Sequence, residues 1–211
     1  MSPIGERDRL LVDVSAALAG GDASRLAHAL AAAEAGGAGD GVEEALLQAY
    51  LFLGYPAALN AIALWRKLSG RAAPAATAED WVGWRLRGEE VCRRVYGGAY
   101  GELRDNVRAL HPDLETWMVT EGYGKVLGRP GLPLATRELC ILALLAVQGV
   151  QKQLYSHLRG ALQAGASEEE VEDALARALR HAPRDRCAAA METWTRLRAR
   201  REATDPPAVG G

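Results

Sequence analysis

Residues 157–175 read HLRGALQAGASEEEVEDAL, and residues 28–46 read HALAAAEAGGAGDGVEEAL, so a histidine opens a similar stretch twice. The two stretches belong to a longer correspondence, in which residues 8–68 align without a gap on residues 137–197. The alignment gives 15 identities in 61 positions, many of them alanine. The chain has only four His and five Trp, yet this register pairs His28 with His157 and Trp65 with Trp194. We therefore predict two copies of one helical unit.

The composition favours helices. Hydrophobic residues make up 49% of the chain, and they are mainly Ala and Leu with a single Phe. Alanine and leucine favour helix, and no stretch alternates with the period of two that indicates a strand. Ser167 and Glu170 form a capping box, which starts a helix after Gly165. We predict an all-α fold with helices near 6–19, 24–35, 41–53, 57–69, 78–95, 99–109, 113–127, 134–148, 152–164, 168–180 and 185–202.

The domain organisation follows from the repeat and the helix breakers. Residues 1–70 are predicted to form the first repeat and residues 116–203 the second. Between them, residues 71–115 provide a linker and connecting helices, because GRAAPAAT at 70–77 is rich in helix breakers and small residues. The sequence TDPPAVGG predicts a disordered tail at 204–211.

Several classes of protein are disfavoured by charge and cysteine content. A net charge of −2 argues against nucleic-acid binding, which needs a basic face. The apolar run 139–147 is too short to span a bilayer, and the N-terminus lacks the apolar core of a signal peptide. The three cysteines include no CxxC motif, so no zinc site or redox pair is expected. We expect a cytoplasmic protein that binds no metal and no membrane.

Three motifs in the second repeat carry a family resemblance. They are YGKVLGRPGL at 123–132, RELC at 137–140 and HLRGALQAGASEEEV at 157–171. In this order and spacing they resemble the carboxymuconolactone decarboxylase family. In the first repeat, VEEALLQ at 42–48 and GYPAALNA at 54–61 resemble the downstream motif of the same family. The resemblance implies a duplicated helical bundle like that of alkyl hydroperoxidase D.

One branch of the family, similar to alkyl hydroperoxidase D, reduces peroxides or disulfides through two cysteines, a histidine and a glutamate. The histidine would correspond to His157 and the glutamate to Glu138. The cysteine positions would correspond to Val150 and Gln153, neither of which can form a thiolate. A relative of this branch that has lost its cysteine pair, and that uses Cys140 instead, stays an alternative.

The other branch resembles γ-carboxymuconolactone decarboxylase, which implies carboxy-lyase chemistry without a cofactor on a small carboxylated lactone or ring. Such a reaction needs cations that hold carboxylates and a group that moves a proton near neutral pH. His157 suits the proton transfer and Glu138 would orient it. Arg159 and Arg137 are candidate carboxylate-binding residues, and Tyr123 is a candidate phenolic donor.

Comparison of the two copies predicts one composite pocket in each chain. The first repeat keeps His28 but has Arg9 where the second has Glu138, so its site is degenerate. We expect Tyr55, Asn60 and Trp65 to form walls around the site of the second repeat. The partners expected are a small carboxylate substrate and further copies of the chain, in a trimer that mimics a hexamer of single repeats. A non-catalytic role in binding or as a scaffold is the remaining alternative.

Overall fold

The computed structural model describes residues 3–204, and this part of the chain is helical without a strand. The predicted all-α class is therefore confirmed. Short 3-10 turns at Gly97–Ala99 and Leu179–His181 and a π-helix at Met118–Leu127 join the α-helices. The α-helices are α1 (Glu6–Gly20), α2 (Ala23–Ala35), α3 (Gly39–Ser69), α4 (Trp81–Tyr96), α5 (Tyr100–Leu110), α6 (Pro112–Trp117), α7 (Leu134–Gln148), α8 (Gln151–Gln163), α9 (Glu168–Ala178) and α10 (Arg184–Thr204).

Most helix ends lie where the sequence predicts them, and local chemistry explains why. The Ser167 hydroxyl accepts a bond from the backbone N–H of Glu170, and the Glu170 carboxylate accepts one from the backbone N–H of Ser167. This confirms the capping box at the start of α9. The αL conformation of Gly149, with φ of 75°, ends α7 and turns the chain back into α8.

One difference concerns α3, for which the sequence predicts two helices, 41–53 and 57–69. The structure has a single element, Gly39–Ser69, that bends at Gly54, where φ is 80° and ψ is 165°. Glycine tolerates this conformation, and Pro56 follows as one of the first residues of the second straight part.

By length and composition α3 could cross a membrane. Each straight part has about 15 residues, however, and a membrane span needs about 20.

The core is built around α7. Every residue from Thr136 to Val147 is buried, and α7 packs against α1, α8 and α9. A helix that is apolar on all sides requires such complete covering. The buried side chains of the described residues form one hydrophobic cluster drawn from both halves of the chain. The two predicted repeats thus share one core.

Corresponding contacts support the predicted repeat. Shifted by 129 residues, the bounds of α1 and α2 lie one residue from those of α7 and α8. The buried Trp65 indole donates to Glu43 at 2.9 Å, and the buried Trp194 indole donates to Glu172 at 3.0 Å. These two pairs are equivalent in the repeat register. The duplication itself stays a prediction, as do the domain boundaries, and the predicted tail lies outside the described residues apart from Thr204.

Candidate functional site

Glu138 and His157 meet between α7 and α8. Because Gly149 reverses the chain, the two side chains face each other although 19 residues separate them. His157 Nδ1 lies 2.7 Å from Glu138 Oε2. Glu138 is fully buried and His157 is 7% exposed, so little water competes for this hydrogen bond. The structure therefore brings together the two residues that the sequence analysis selects as catalytic.

This contact determines what the imidazole offers. When neutral His157 donates Nδ1–H to the carboxylate, its Nε2 is the basic atom that can take up a proton. When His157 is protonated, Nε2–H becomes a proton donor while Glu138 stabilises the cation. The second oxygen of Glu138, Oε1, is buried without a hydrogen-bond partner among the described residues. The pair is thus an oriented acid–base unit with one carboxylate oxygen still available.

Two tyrosines lie in the electrostatic range of this pair. The hydroxyls of Tyr96 and Tyr123 are 2.5 Å apart, and their rings meet edge to face. Burial raises the pKa of both phenols, and the negative charge of Glu138 raises each further. Both phenols therefore stay protonated and can donate hydrogen bonds. Tyr123 is among the predicted substrate-binding residues, whereas no sequence motif indicates Tyr96.

Glycines allow this pairing of tyrosines. A Cβ at Gly88 in α4 would collide with the carbonyl of Val119, and one at Gly124 would collide with the carbonyl of Trp84. Backbone therefore packs directly on backbone between α4 and the π-helix that carries Tyr123. π-Helical segments are rare in proteins, and those that are found frequently lie at functional sites.

Arg159 lines a pocket of about 180 Å³ together with Tyr96, Ser156 and Asn106. Its positive charge lowers the pKa of Tyr96, so the guanidinium lies near that phenol. Within residues 3–204 no hydrogen bond or ion pair of the Arg159 side chain is found. Arg159 is therefore an available cation for a carboxylate, and its role in substrate binding stays a prediction. His157 and Glu138 are not among the lining residues of this pocket.

Phe52, from the first half of the chain, packs on His157. The two ring centroids are 5.5 Å apart and the planes cross at 81°. An apolar edge against the imidazole excludes water and fixes the ring plane. No sequence motif indicates a role for Phe52, the single phenylalanine of the chain.

Gly160 lets α8 approach Glu138. A Cβ built on Gly160 would lie 2.9 Å from Glu138 Oε2, 3.1 Å from its Cδ and 3.0 Å from Val95 Cγ1. The residue lies on α8 one turn beyond His157, so both face α7. The absence of a side chain at 160 is therefore part of the geometry that holds the Glu138–His157 pair.

Replacement of Gly160 by alanine is expected to displace the Glu138 carboxylate. Overpacking at a tight position costs about 1–3 kcal/mol, against a helix-propensity gain of about 1 kcal/mol. We expect thermal unfolding to show no net stabilisation. Gly101→Ala is the control, because nothing lies within 4 Å of a Cβ at that helical glycine. A rise in Tm for Gly160→Ala equal to that for Gly101→Ala would contradict the tight fit.

The structure gives Arg137 other partners than the substrate carboxylate that the sequence predicts. Its side chain is fully buried, and Nη2 donates to Glu44 at 2.8 Å and to the carbonyl of Arg129 at 3.0 Å. Nη1 donates to Gln48 at 3.3 Å. These bonds join α7 to α3 and to the loop before α7, so the guanidinium serves the packing of the chain. Among residues 3–204, no hydrogen bond or ion pair joins the Arg137 side chain to Glu138 or His157.

The predicted walls of the composite pocket are also placed differently. Trp65 is fully buried in the core, where its indole donates to Glu43. Beyond the bend at Gly54, Tyr55 is 60% exposed and stacks on Tyr50 with centroids 4.9 Å apart, and Asn60 is exposed. The first half does contribute to the site, but through Phe52.

The thiols of Cys92 and Cys140 are poorly suited to redox chemistry. Burial raises the pKa of both Cys92 and Cys140 to about 12. A thiol with such a pKa forms almost no thiolate at neutral pH. Within residues 3–204, no three His, Cys, Asp or Glu side chains come close enough to hold a metal ion.

Residues 112–195 match the sequence model of the carboxymuconolactone decarboxylase family. This range is a domain of that family. The matched range contains Glu138, His157, Arg159 and Tyr123, whereas Phe52 and Tyr96 lie outside it. The family assignment thus rests on the second half, and the first half adds groups to the same site.

Two curated proteins are similar to this chain. Peroxisomal protein 2 of Schizosaccharomyces pombe is 30% identical over 138 residues, which cover 62% of this chain and 63% of the relative. The 4-carboxymuconolactone decarboxylase of Acinetobacter baylyi is 30% identical over 88 residues, which cover 41% of this chain and 66% of the relative. The chain thus spans just under two thirds of the length of each.

Proposed function

We propose that the protein is a carboxy-lyase that decarboxylates a small carboxylated lactone or ring compound by acid–base chemistry without a cofactor. The observation that carries the proposal is the buried hydrogen bond of 2.7 Å between His157 Nδ1 and Glu138 Oε2. The similarity to the 4-carboxymuconolactone decarboxylase of Acinetobacter baylyi supports the choice of substrate class.

In the proposed reaction, Arg159 binds a carboxylate of the substrate and Tyr96 donates a hydrogen bond from the wall of the same pocket. The C–C bond to the leaving carboxylate breaks and CO2 departs. The electron pair delocalises into the conjugated carbonyl system of the ring. A proton from His157 Nε2–H then forms the new C–H bond, and water restores the proton on the imidazole.

Glu138 acts through His157 in this scheme. Its carboxylate holds the ring orientation and stabilises the imidazolium that must form before proton delivery. Phe52 and the buried position limit water around the imidazole, which strengthens the charge interaction between the two side chains. Tyr123 fixes the Tyr96 hydroxyl through the bond of 2.5 Å.

A peroxidase role is less well supported, because the two cysteine positions carry Val150 and Gln153 and the pKa of Cys140 is about 12. A non-catalytic role in binding or as a scaffold is the alternative that a lack of turnover would favour.

Assembly into a trimer and a cytoplasmic location stay predictions. The exposed apolar side chains Tyr55 and Leu59, 60% and 61% exposed, are consistent with contacts between copies.

The experiment is turnover of γ-carboxymuconolactone by the purified protein, followed by CO2 release and lactone absorbance. We expect Arg159→Gln to raise KM about tenfold or more with a smaller change in kcat, because a charge-assisted hydrogen bond to the carboxylate is lost. Arg94→Gln, an exposed arginine of α4, is the matched control. An absence of turnover by the unmodified protein would contradict the proposed function.

A further inference from the structure

A second groove lies at the degenerate copy of the site. It has a volume of about 520 Å³ and lies between α1, α2 and the 3-10 turn at Leu179–His181. We call it the His28 groove. Its polar lining consists of Asp13, Ser24, Arg25, His28, Arg180 and His181. None of these residues takes part in the proposed lyase reaction.

His28 differs in its surroundings from His157, its partner in the repeat. Where the second copy has Glu138, the first has Arg9, so no carboxylate is available at the equivalent position. His28 is exposed and faces the groove, whereas His157 is buried against its carboxylate. The first copy therefore offers an open imidazole in place of an internal acid–base pair.

The charges around the groove leave two guanidiniums for a ligand. Asp13 is held by Arg177 at 3.0 Å, so it already has a cationic partner. Arg25 approaches Asp22 only at 3.7 Å in an exposed pair, which contributes little. Within residues 3–204 no hydrogen bond or ion pair of the Arg180 side chain is found.

Contacts within the chain keep the cationic groups together. Arg25 Nη1 donates to the backbone carbonyl of Arg180 at 3.4 Å, which ties α2 to the 3-10 turn. Burial lowers the pKa of His181, and the charges of Arg25 and Arg180 lower it further, while Asp13 and Asp22 oppose them. Two guanidiniums thus lie within electrostatic range of the His181 imidazole. An anion between them would relieve this repulsion.

The rest of the lining is apolar and consists of Leu10, Ala29 and Ala32. An inorganic anion would leave this surface in water, whereas the hydrocarbon part of an organic acid would cover it. The volume is also within the range of typical small-molecule sites, about 300–1,000 Å³.

We propose that the His28 groove is a second binding site, for a small organic acid whose carboxylates bind Arg25 and Arg180. His28 and His181 line the same space and add N–H donors. The hydrocarbon part of the acid lies on Leu10, Ala29 and Ala32.

The test is titration calorimetry with adipate, a six-carbon dicarboxylate, on the full chain carrying Arg159→Gln. This background weakens carboxylate binding at the proposed lyase site, so failure of one proposal does not decide the other. We expect saturable binding that Arg25→Gln/Arg180→Gln weakens by about tenfold or more. Arg7→Gln/Arg94→Gln, which removes two exposed arginines elsewhere, is the charge-matched control and should leave binding unchanged.

Nuclear magnetic resonance locates the ligand. Adipate should shift the imidazole resonances of His28 and His181, assigned with His28→Gln and His181→Gln, in the folded protein. No saturable adipate binding, or equal weakening by the control pair, would overturn the proposal. Binding of inorganic phosphate as tight as that of adipate would also overturn it, because the apolar lining would then contribute nothing.

Discussion

Replacement of His157 by glutamine is expected to lower kcat for γ-carboxymuconolactone by about 10²–10⁴-fold, the usual contribution of a positioned acid–base group. Glutamine keeps a polar side chain that can hydrogen-bond Glu138 but cannot carry the proton. The fold should survive, because His157 lies at the edge of the core with 7% of its surface exposed. Rates of CO2 release at saturating lactone, with helical content measured by circular dichroism, check this prediction.

His111→Gln is the matched control. His111 is exposed and caps α6, where its Nδ1 accepts a bond from the backbone N–H of Asp113. Its loss should leave kcat near that of the unmodified protein. Turnover by His157→Gln within a factor of about two of the unmodified protein would remove His157 from the chemistry, since acid–base groups contribute far more.

Replacement of Arg137 by alanine is expected to lower the free energy of unfolding by about 3–5 kcal/mol, because one partner of a buried ion pair is removed. Glu44 would keep only the bonds to Arg129, and the carbonyls of Arg129 and Pro130 would lose a donor. Urea or thermal unfolding followed by circular dichroism measures the loss.

The control for Arg137 is Arg85→Ala. Arg85 forms an exposed pair with Glu89 at 3.4 Å, and such pairs contribute less than about 1 kcal/mol. If Arg137→Ala unfolded like Arg85→Ala but raised KM for the lactone, Arg137 would bind substrate after all. That result would restore the role that the sequence suggested.

The sequence predicts the helices well because their ends carry local signals, such as the capping box at Ser167 and the turn at Gly149. It also predicts the Glu138–His157 contact, because a hairpin of two helices places residues at similar distances from the turn side by side. Arg137 is adjacent to Glu138 in sequence, but one residue turns a helix by about 100°, so the two side chains leave α7 in different directions. Neighbouring positions in a helix therefore need not belong to the same site.

The groups that the sequence analysis missed depend on tertiary packing. Tyr96 lies in residues 71–115, where neither the repeat nor a family motif gives a reference point. Its pairing with Tyr123 requires backbone contact between α4 and the π-helix, which glycines permit. Phe52 reaches His157 because of the path of α3 across the core. Long-range contacts of this kind have no periodic signal.

The central claim is that Glu138 and His157 act as one acid–base unit, and a double-mutant cycle on kcat tests it most directly. Glu138→Gln, His157→Gln and the double variant are compared with the unmodified protein in lactone turnover. We expect Glu138→Gln to slow turnover less than His157→Gln, and the double variant to be no slower than His157→Gln alone, because residues that act as a unit are non-additive. Additive effects of the two substitutions would contradict the claim.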